Sequence, residues 1–210
     1  MIPDLEALAE RGERPTETRQ MSALIHGSAE FSACGKHRLR LDRWWGDGPR
    51  TLVCGCNPSD AGAERNDPTI HRLNALLRSR CDGYTMVNFG TFIGASPADF
   101  SRWRETAWRD DPDYRTRRDA NLAAVAALAV AAPLRIVAWG NLVPQVPDAT
   151  KILGAMSLGY TADLHAFGVT KDGSPKHPMA RGHHRIPDSA ELVVWKRAHR
   201  EAALRQGPGG

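Results

Sequence analysis

Residues 50–59 read Arg-Thr-Leu-Val-Cys-Gly-Cys-Asn-Pro-Ser, and this stretch decides the fold. Its apolar part is typical of a strand buried on both faces, and the Asn-Pro pair then ends that strand. Because side chains alternate along a strand, Cys54 and Cys56 are predicted to share one face. In open α/β sheets, ligands bind beyond the carboxyl ends of the parallel strands. Asn57 follows such an end and is therefore the first candidate site residue.

Four apolar segments of this kind alternate with helical patterns along the chain. The alternation predicts parallel crossovers, and hence an α/β three-layer sandwich around a central, mainly parallel four-stranded sheet. The four strands are expected at residues 51–56, 84–88, 134–139 and 163–167, with a further strand-like segment at 36–45. Helices are expected at residues 67–80, from residue 96 onward, and at residues 113–131, 150–158 and 188–205.

Two of the expected helices begin with capping signals. Asp67 can accept a hydrogen bond from the first helical turn, and Pro68 suits the first helical position. Ser96, followed three residues later by Asp99, has the spacing of a capping box.

The composition indicates one globular domain. The chain has 210 residues, of which 41% are hydrophobic and 25% charged. We expect residues 1–20 to form a flexible extension, residues 21–205 a single α/β domain and residues 206–210 a disordered tail. Either Met1 or Met21 can serve as the translation start.

Charge and hydropathy narrow the partners. No segment approaches the about 20 consecutive apolar residues that a membrane span needs, and residues 1–20 lack the apolar core of a secretory signal. A cytoplasmic monomer without a membrane partner is therefore expected. The net charge of +4 permits a polyanionic partner without requiring one, because the arginines are scattered.

Neither the cysteines nor the histidines predict a metal centre, and no cofactor is expected. The four cysteines have no Cys-x-x-Cys spacing, so buried reduced thiols are expected. His183 and His184 are adjacent in a loop and are expected to diverge, and no carboxylate lies at ligand spacing.

Polar residues or glycines follow all four expected strands. Asn57 follows the first, Asn88 the second and Gly140-Asn141 the third, and residues 168–182 form a long loop after the fourth. If the strands are parallel, these positions share one edge of the sheet. An Asn after a buried strand commonly only caps a turn, but four such endings on one edge favour a binding site.

A series of motifs runs through nearly the whole body of the chain. In order, they are Asn57-Pro58-Ser59-Asp60-Ala61, Asp67-Pro68-Thr69-Ile70 with Arg72, Val87-Asn88, Ala138-Trp139-Gly140, the run Gly168 to Pro175, and His177-Pro178. In these motifs the sequence resembles domain-of-unknown-function family 1643, a resemblance that implies no established activity.

More distantly, the layout resembles the uracil-DNA glycosylase superfamily. That resemblance implies that Asn57 positions a hydrolytic water, that Asn88 reads the edge of a base, and that His177 donates to a base oxygen as charge develops there. Ala138-Trp139-Gly140 matches the aliphatic-Trp-Gly motif of the third strand. On duplex DNA, the base would have to flip out.

The sequence departs from that superfamily at two positions. Ser59 stands where a Gly or Tyr usually follows the Pro of the first motif, and Met179 stands where a Ser follows His-Pro. The aromatic residue that stacks on the base has no assigned counterpart, although Phe89 and Phe92 lie nearby.

Three charged residues among the remaining candidates have two possible roles each. Arg72 either faces a phosphate at a helix N-terminus or is structural. Lys171 and Lys176 are either phosphate contacts or solvated charges. Three tryptophans, Trp103, Trp108 and Trp195, fall in segments of helical pattern and are expected in the core or in an interface.

Two functional classes stay open. The first is a hydrolase of N-glycosidic bonds, with Asn57 and His177 as catalytic residues and DNA, RNA or a free nucleotide as substrate. The second is a non-catalytic module of the same fold that binds a nucleotide or nucleic acid. In both, the substrate-binding residues are Asn88, Pro58, Ser59, Gly140, Asn141, Arg72, Lys171 and Lys176.

Overall fold

A computed structural model describes residues 24–94, 96–141 and 148–199 of the chain. The expected extension at residues 1–20 and the expected tail at residues 206–210 lie outside the described residues.

The described residues form seven strands and four α-helices. The strands are β1 (His26–Phe31), β2 (Arg38–Trp44), β3 (Thr51–Gly55), β4 (Gly83–Asn88), β5 (Arg135–Val137), β6 (Leu164–Ala166) and β7 (Val193–Lys196). The helices are α1 (Pro68–Leu77), α2 (Pro97–Asp110), α3 (Tyr114–Ala131) and α4 (Ala149–Met156), and a single 3₁₀ turn spans Gly182–His184.

All strands belong to one sheet with the order β1-β2-β4-β3-β5-β6-β7. The four central strands, β4, β3, β5 and β6, are mutually parallel. Antiparallel strands extend them on both sides, β2 and β1 beyond β4 and β7 beyond β6. The sheet is therefore a parallel core with antiparallel margins.

The four strands expected in the centre of the sheet are confirmed, but the expected four-stranded sheet is wrong because the sheet has seven strands. The segment at 36–45 supplies β2. The helix expected at residues 188–205 is also wrong, since residues 193–196 form β7 against β6. Val-Val-Trp is a β-branched and aromatic run that fits a pleated surface, and pairing with β6 outweighs the helical pattern around it.

Helices cover both faces of the sheet, as expected for three layers. On one face, α1 contributes Ile70, Leu73 and Leu76 to a core that also contains Val53 of β3. On the other face, α2, α3 and α4 pack with Cys54 and Cys56. The predicted alternation of the strand at residues 51–56 is therefore confirmed.

Both predicted helix caps form. The Asp67 carboxylate accepts a hydrogen bond of 2.7 Å from the backbone N–H of Ile70. Ser96 and Asp99 exchange side-chain and backbone hydrogen bonds in a capping box. These caps satisfy N–H groups that a helix start otherwise leaves without partners.

All four cysteines are free thiols. Cys54 and Cys56 are buried, as expected, and burial raises the pKa of Cys56 to about 12. Cys34 is instead exposed, in the turn between β1 and β2, and Cys81 is partly buried. Among the described residues, no helix is both long and apolar enough to cross a membrane.

A buried carboxylate ties the antiparallel margin to the core. Asp42 of β2 is 3% exposed and accepts hydrogen bonds from Arg40 (2.7 Å), Thr85 (2.6 Å) and Ser28 (3.1 Å). Burial alone would raise the pKa of Asp42, but the hydrogen bonds from Arg40 and Thr85 outweigh burial and lower it. The charged form of Asp42 therefore links β1, β2 and β4.

We expect Asp42→Asn to lower the free energy of unfolding by about 2 kcal/mol at neutral pH, since charge-assisted hydrogen bonds to a buried group are lost. The folded-state pKa of Asp42 is depressed, so its stabilisation is complete above the pKa of an unfolded aspartate and disappears as pH falls through the folded-state value. Urea unfolding of both proteins across the acid range measures this effect.

The matched control is Asp47→Asn, which changes an exposed carboxyl in the neighbouring turn. It should leave stability within about 0.5 kcal/mol of the wild type. A stability difference for Asp42→Asn that stayed constant down to strongly acid pH would contradict the assignment.

Candidate functional site

The candidate residues lie at the carboxyl ends of adjacent parallel strands. Asn88 ends β4, Asn57 follows β3, and Gly140 follows β5. The register pairs Gly55 with Asn88 and Cys54 with Val137, so these three ends are neighbours. The sequence expectation that they share one edge is confirmed, and we call this region the carboxyl edge.

Asn57 has a fixed orientation. Its Nδ2 donates to the carbonyl oxygens of Gly94 (3.0 Å) and Pro58 (3.3 Å). The backbone N–H of Gly94 returns a bond of 2.9 Å to the Pro58 carbonyl, which closes the loop after β4 onto the end of β3. Because both carbonyls demand a donor, Nδ2 and Oδ1 cannot be exchanged, and Oδ1 is the atom left to accept.

His177 has a fixed tautomer. The backbone N–H of Met179 donates to Nδ1 at 3.1 Å. An imidazole nitrogen that accepts carries no proton, so in the neutral ring the proton lies on Nε2. Met179 therefore contacts His177 through its backbone N–H, so this contact does not depend on the Met179 side chain.

Gly140 and His177 lie side by side after the end of β5. Gly140 has φ +73°, a left-handed conformation that favours glycine, and its N–H donates to the Pro175 carbonyl at 3.1 Å. A Cβ atom built on Gly140 would lie 3.4 Å from Cβ of His177. The turn after β5 therefore forms one wall beside the imidazole.

Burial lowers the pKa of His177, and the negative charge of Asp67 opposes that shift. The net direction is downward, so the neutral form with its Nε2 proton is favoured. The ring is therefore a hydrogen-bond donor rather than a cation at neutral pH.

Asn88 is 3% exposed. Its Oδ1 accepts a bond of 3.2 Å from Nη2 of Arg38, while its buried Nδ2 has no hydrogen-bond partner among the described residues. A Cβ atom on Gly55 would lie 2.8 Å from this Nδ2, so a glycine there leaves room for the amide. Asn88 consequently offers a donor, and one of the two lone pairs of its Oδ1 is engaged by Arg38.

Two buried arginines of β2 hold the loop that follows β3. Arg38 is 2% exposed and donates to the Ala61 carbonyl at 3.0 Å as well as to Asn88. Arg43 donates to the Gly62 carbonyl at 2.6 Å and to the Asn66 side chain at 2.8 Å. Burial lowers the pKa of Arg38 to about 10, against the raising effect of Asp67.

The same loop connects Pro58 and Ser59 to α1. Pro58 is buried, and the Ser59 hydroxyl donates to the Asp67 carboxylate that caps the helix. Ser59 thus has a structural partner, and through it the position of Asp67 is coupled to the end of β3.

Arg72 is engaged away from the helix N-terminus. Its guanidinium forms an ion pair with Asp188 and donates to the Ile186 carbonyl. These contacts fasten α1 to the segment after the 3₁₀ turn. A phosphate would have to displace Asp188 to reach Arg72.

The loop after β6 carries the remaining candidates. Asn141 accepts a 3.1 Å bond from the Thr170 hydroxyl, so the turns after β5 and β6 are linked. Lys171 is exposed, and the alkyl chain of Lys176 lies along Gly168, whose built Cβ would be 3.5 Å from its Cδ. Neither ammonium has a partner among the described residues.

Sequence reasoning missed two features of this region. Arg38 gave no signal, because an arginine at the start of a strand is usually exposed. The other is a cavity of about 560 Å³ between α2 and α3, which Asn57, Asn88 and His177 do not line. Of the two aromatic candidates, Phe89 lines that cavity, and Phe92 stacks on Trp103 with centroids 5.6 Å apart.

No group of three potential metal ligands occurs among the described residues. The expected divergence of His183 and His184 is wrong, since their rings lie 3.8 Å apart within the 3₁₀ turn. Of the tryptophans, Trp195 lies on β7 rather than on a helix, and Trp108 is 62% exposed.

The protein is thus an α/β protein whose parallel central strands are followed by polar side chains at the carboxyl edge. The chain belongs to the family described as "Protein of unknown function (DUF1643)", whose model matches residues 38–179. The matched part begins at Arg38 and ends at Met179, so it contains the whole carboxyl edge. No curated protein and no solved structure matches the chain.

We expect Asp67→Asn to lower the pKa of His177 further, because the Asp67 charge is what opposes the effect of burial. Asn retains an oxygen for the helix cap, so the fold should be kept. A ¹³C- or ¹⁵N-detected NMR titration of the imidazole measures the shift.

Asp60→Asn serves as the control, because Asp60 is exposed and paired with Arg65. It should leave the His177 titration in place. An unchanged or raised pKa in Asp67→Asn would show that Asp67 does not act on the imidazole.

Proposed function

We propose that the protein is a hydrolase that cleaves the N-glycosidic bond of a base or nucleotide bound at the carboxyl edge. Asn57 orients the attacking water and His177 donates to the departing base. The water oxygen bonds to the sugar C1′, the C1′–N bond breaks, and its electron pair leaves with the base while the water releases a proton to solvent.

The complementary orientation of two side chains carries this proposal. Asn57 has its amide nitrogen tied to the Gly94 and Pro58 carbonyls, which leaves an acceptor for a water proton. His177 has Nδ1 occupied by the Met179 N–H, which leaves a neutral Nε2–H donor. Hydrolysis needs an acceptor for the water and a donor for the base as negative charge develops on it.

Asn88 and the motif order add support. The unpartnered Nδ2 of Asn88 is a donor suited to a base carbonyl. The order Asn57, Asn88, Trp139-Gly140 and His177 is the order of the corresponding motifs in the uracil-DNA glycosylase superfamily. Because Asn57 is neutral and cannot act as a strong base, slow turnover is expected.

A non-catalytic binding module is the second candidate, and the burial of Asn88 favours it. Oδ1 of Asn88 already accepts from Arg38, so only its second lone pair remains, beside the Nδ2 donor, to read a uracil-like edge. The carboxyl edge would then bind a base or nucleotide without hydrolysing it.

Release of free base from oligonucleotides containing uracil, mismatched or modified bases tests the first candidate. We expect Asn57→Ala and His177→Ala each to reduce the single-turnover rate by about 10²-fold or more, because one loses water orientation and the other loses the donor. Binding should change much less in Asn57→Ala.

His71→Ala is the matched control, since His71 is exposed on α1. It should keep the wild-type rate. If the protein binds an oligonucleotide or a nucleotide but releases no free base, the result supports the binding module. Neither binding nor release by a folded protein overturns both candidates.

The cations of the loop after β6 are proposed to hold phosphates beside the edge. Lys171, Arg181 and Arg185 are exposed and Lys176 is half-buried, and none forms an ion pair with a described residue. Phosphate contacts position a nucleic acid and make its binding depend on salt, whereas contacts to the base select it.

We expect Lys171→Ala combined with Lys176→Ala to weaken binding to all oligonucleotides and to flatten the dependence of log K on log salt by about 2 for duplex DNA. Fluorescence anisotropy over a range of salt concentrations measures both effects. His177→Ala should alter base preference or turnover and leave the slope unchanged.

The paired control is Lys196→Ala with Arg197→Ala, which removes the same charge at β7. Its salt slope should match that of the wild type. Equal flattening in both double variants would mean that net charge, rather than this loop, governs binding. Mononucleotide binding without DNA binding at low salt would make the ligand a small nucleotide.

A further inference from the structure

A cavity lies between α2 and α3, on the face of the sheet opposite α1. Its volume of about 560 Å³ falls within the roughly 300–1,000 Å³ of small-molecule sites. The wall is built from residues 89–91 directly after β4, the second half of α2, the first half of α3, and Asp148 before α4. Asn57, Asn88 and His177 do not line it, although Phe89 follows Asn88 in the chain.

Aromatic rings form much of the wall. Phe89, Trp103, Trp108 and Tyr114 all line the cavity. Trp103 is fixed from behind by Phe92, stacked on it at 5.6 Å, and its ring lies 5.8 Å from that of Tyr114. Rings held in this way offer flat apolar faces to a planar ligand at low entropic cost.

Four arginines and two acidic residues, Glu105 and Asp148, line the same cavity. Arg117 is balanced by Asp111 at 2.5 Å, and Arg118 by Asp119 at 2.8 Å. Arg104, by contrast, is half-buried and has no hydrogen bond or ion pair with any described residue.

An unpaired guanidinium beside aromatic faces suits one kind of ligand. The planar fork of Arg104 can donate two parallel hydrogen bonds to a carboxylate or a phosphate. The aromatic faces would hold the apolar part of the same molecule.

We propose that this cavity is a second binding site, for a small planar aromatic compound bearing one carboxylate or phosphate group. Arg104 binds the anionic group, and Trp103, Trp108 and Tyr114 contact the ring system. The site adjoins the carboxyl edge but takes none of Asn57, Asn88 and His177, and binding in it does not depend on hydrolysis at that edge.

Calorimetric titration of the full chain with 2-naphthoate and with 1-naphthyl phosphate tests the proposal and separates the two anions. The neutral analogue 2-naphthylmethanol and inorganic phosphate alone serve as ligand controls. We expect at least one naphthyl anion to bind about tenfold or more tightly than the neutral analogue, and phosphate alone to bind much more weakly. ¹⁵N-labelled indole resonances of Trp103 and Trp108 should shift on binding.

Arg104→Met should abolish the preference for the anion while retaining weak binding of 2-naphthylmethanol, which also shows that the variant is folded. Arg102→Met, on the same helix but outside the cavity wall, should bind like the wild type. Asn57→Ala should also bind normally, which separates this test from that of the proposed hydrolase. Equal affinity for anion and neutral analogue, full anion preference in Arg104→Met, or no binding by the wild type overturns the proposal.

Discussion

The arrangement of the carboxyl edge depends on two buried guanidinium groups. Arg38 and Arg43 extend from β2 and donate to the backbone carbonyls of Ala61 and Gly62 in the loop between β3 and α1. Backbone carbonyls and the side-chain amide oxygens of Asn88 and Asn66, rather than a salt bridge among the described residues, accept from both guanidinium groups, and burial lowers both pKa values. These bonds offset the cost of burial, although Nε of Arg38 has no partner among the described residues.

Several features of the edge follow from that clamp. The held loop places Ser59 against Asp67, and Asp67 begins α1 and acts electrostatically on His177. Arg38 also fixes the Asn88 amide. An antiparallel strand outside the parallel core therefore determines the geometry at the end of β3, which is why the edge requires β2 as well as the four strands of the core.

The centre of the fold was predictable because its signals are local. The run at residues 50–56 and the caps at Asp67 and Ser96 are each readable within a few residues, and all three predictions are confirmed. The margins were not predictable in the same way. β1 reads His-Gly-Ser-Ala-Glu-Phe, without an apolar run, and it is a strand because β2 offers hydrogen-bond partners. β7 likewise depends on pairing with β6, against the pattern of its neighbours.

For the site, sequence predicted which strand ends share an edge but not what their side chains can offer. The parallel strands β4, β3 and β5 place Asn88, Asn57 and Gly140 at one edge, and His177 lies beside Gly140. The atoms that each side chain leaves for a ligand depend on its bonds to Gly94, Arg38 or Met179. Gly94 and Arg38 are remote in sequence from the side chains that they contact. The cavity lined by Arg104 was missed for a related reason: the space between two helices is a property of their packing.

The exposure of the thiols favours chemical labelling of the protein at a single cysteine. Cys54 and Cys56 lie in the core, and Cys81 is partly buried. Burial raises the pKa of all three thiols, so they supply little thiolate to a reagent. Cys34 is exposed, and its hydrogen bond with Ser32 lowers its pKa. A maleimide dye would therefore attach first in the β1–β2 turn, four residues before Arg38. It would place a spectroscopic reporter on the strand that clamps the edge without altering any residue of the edge itself.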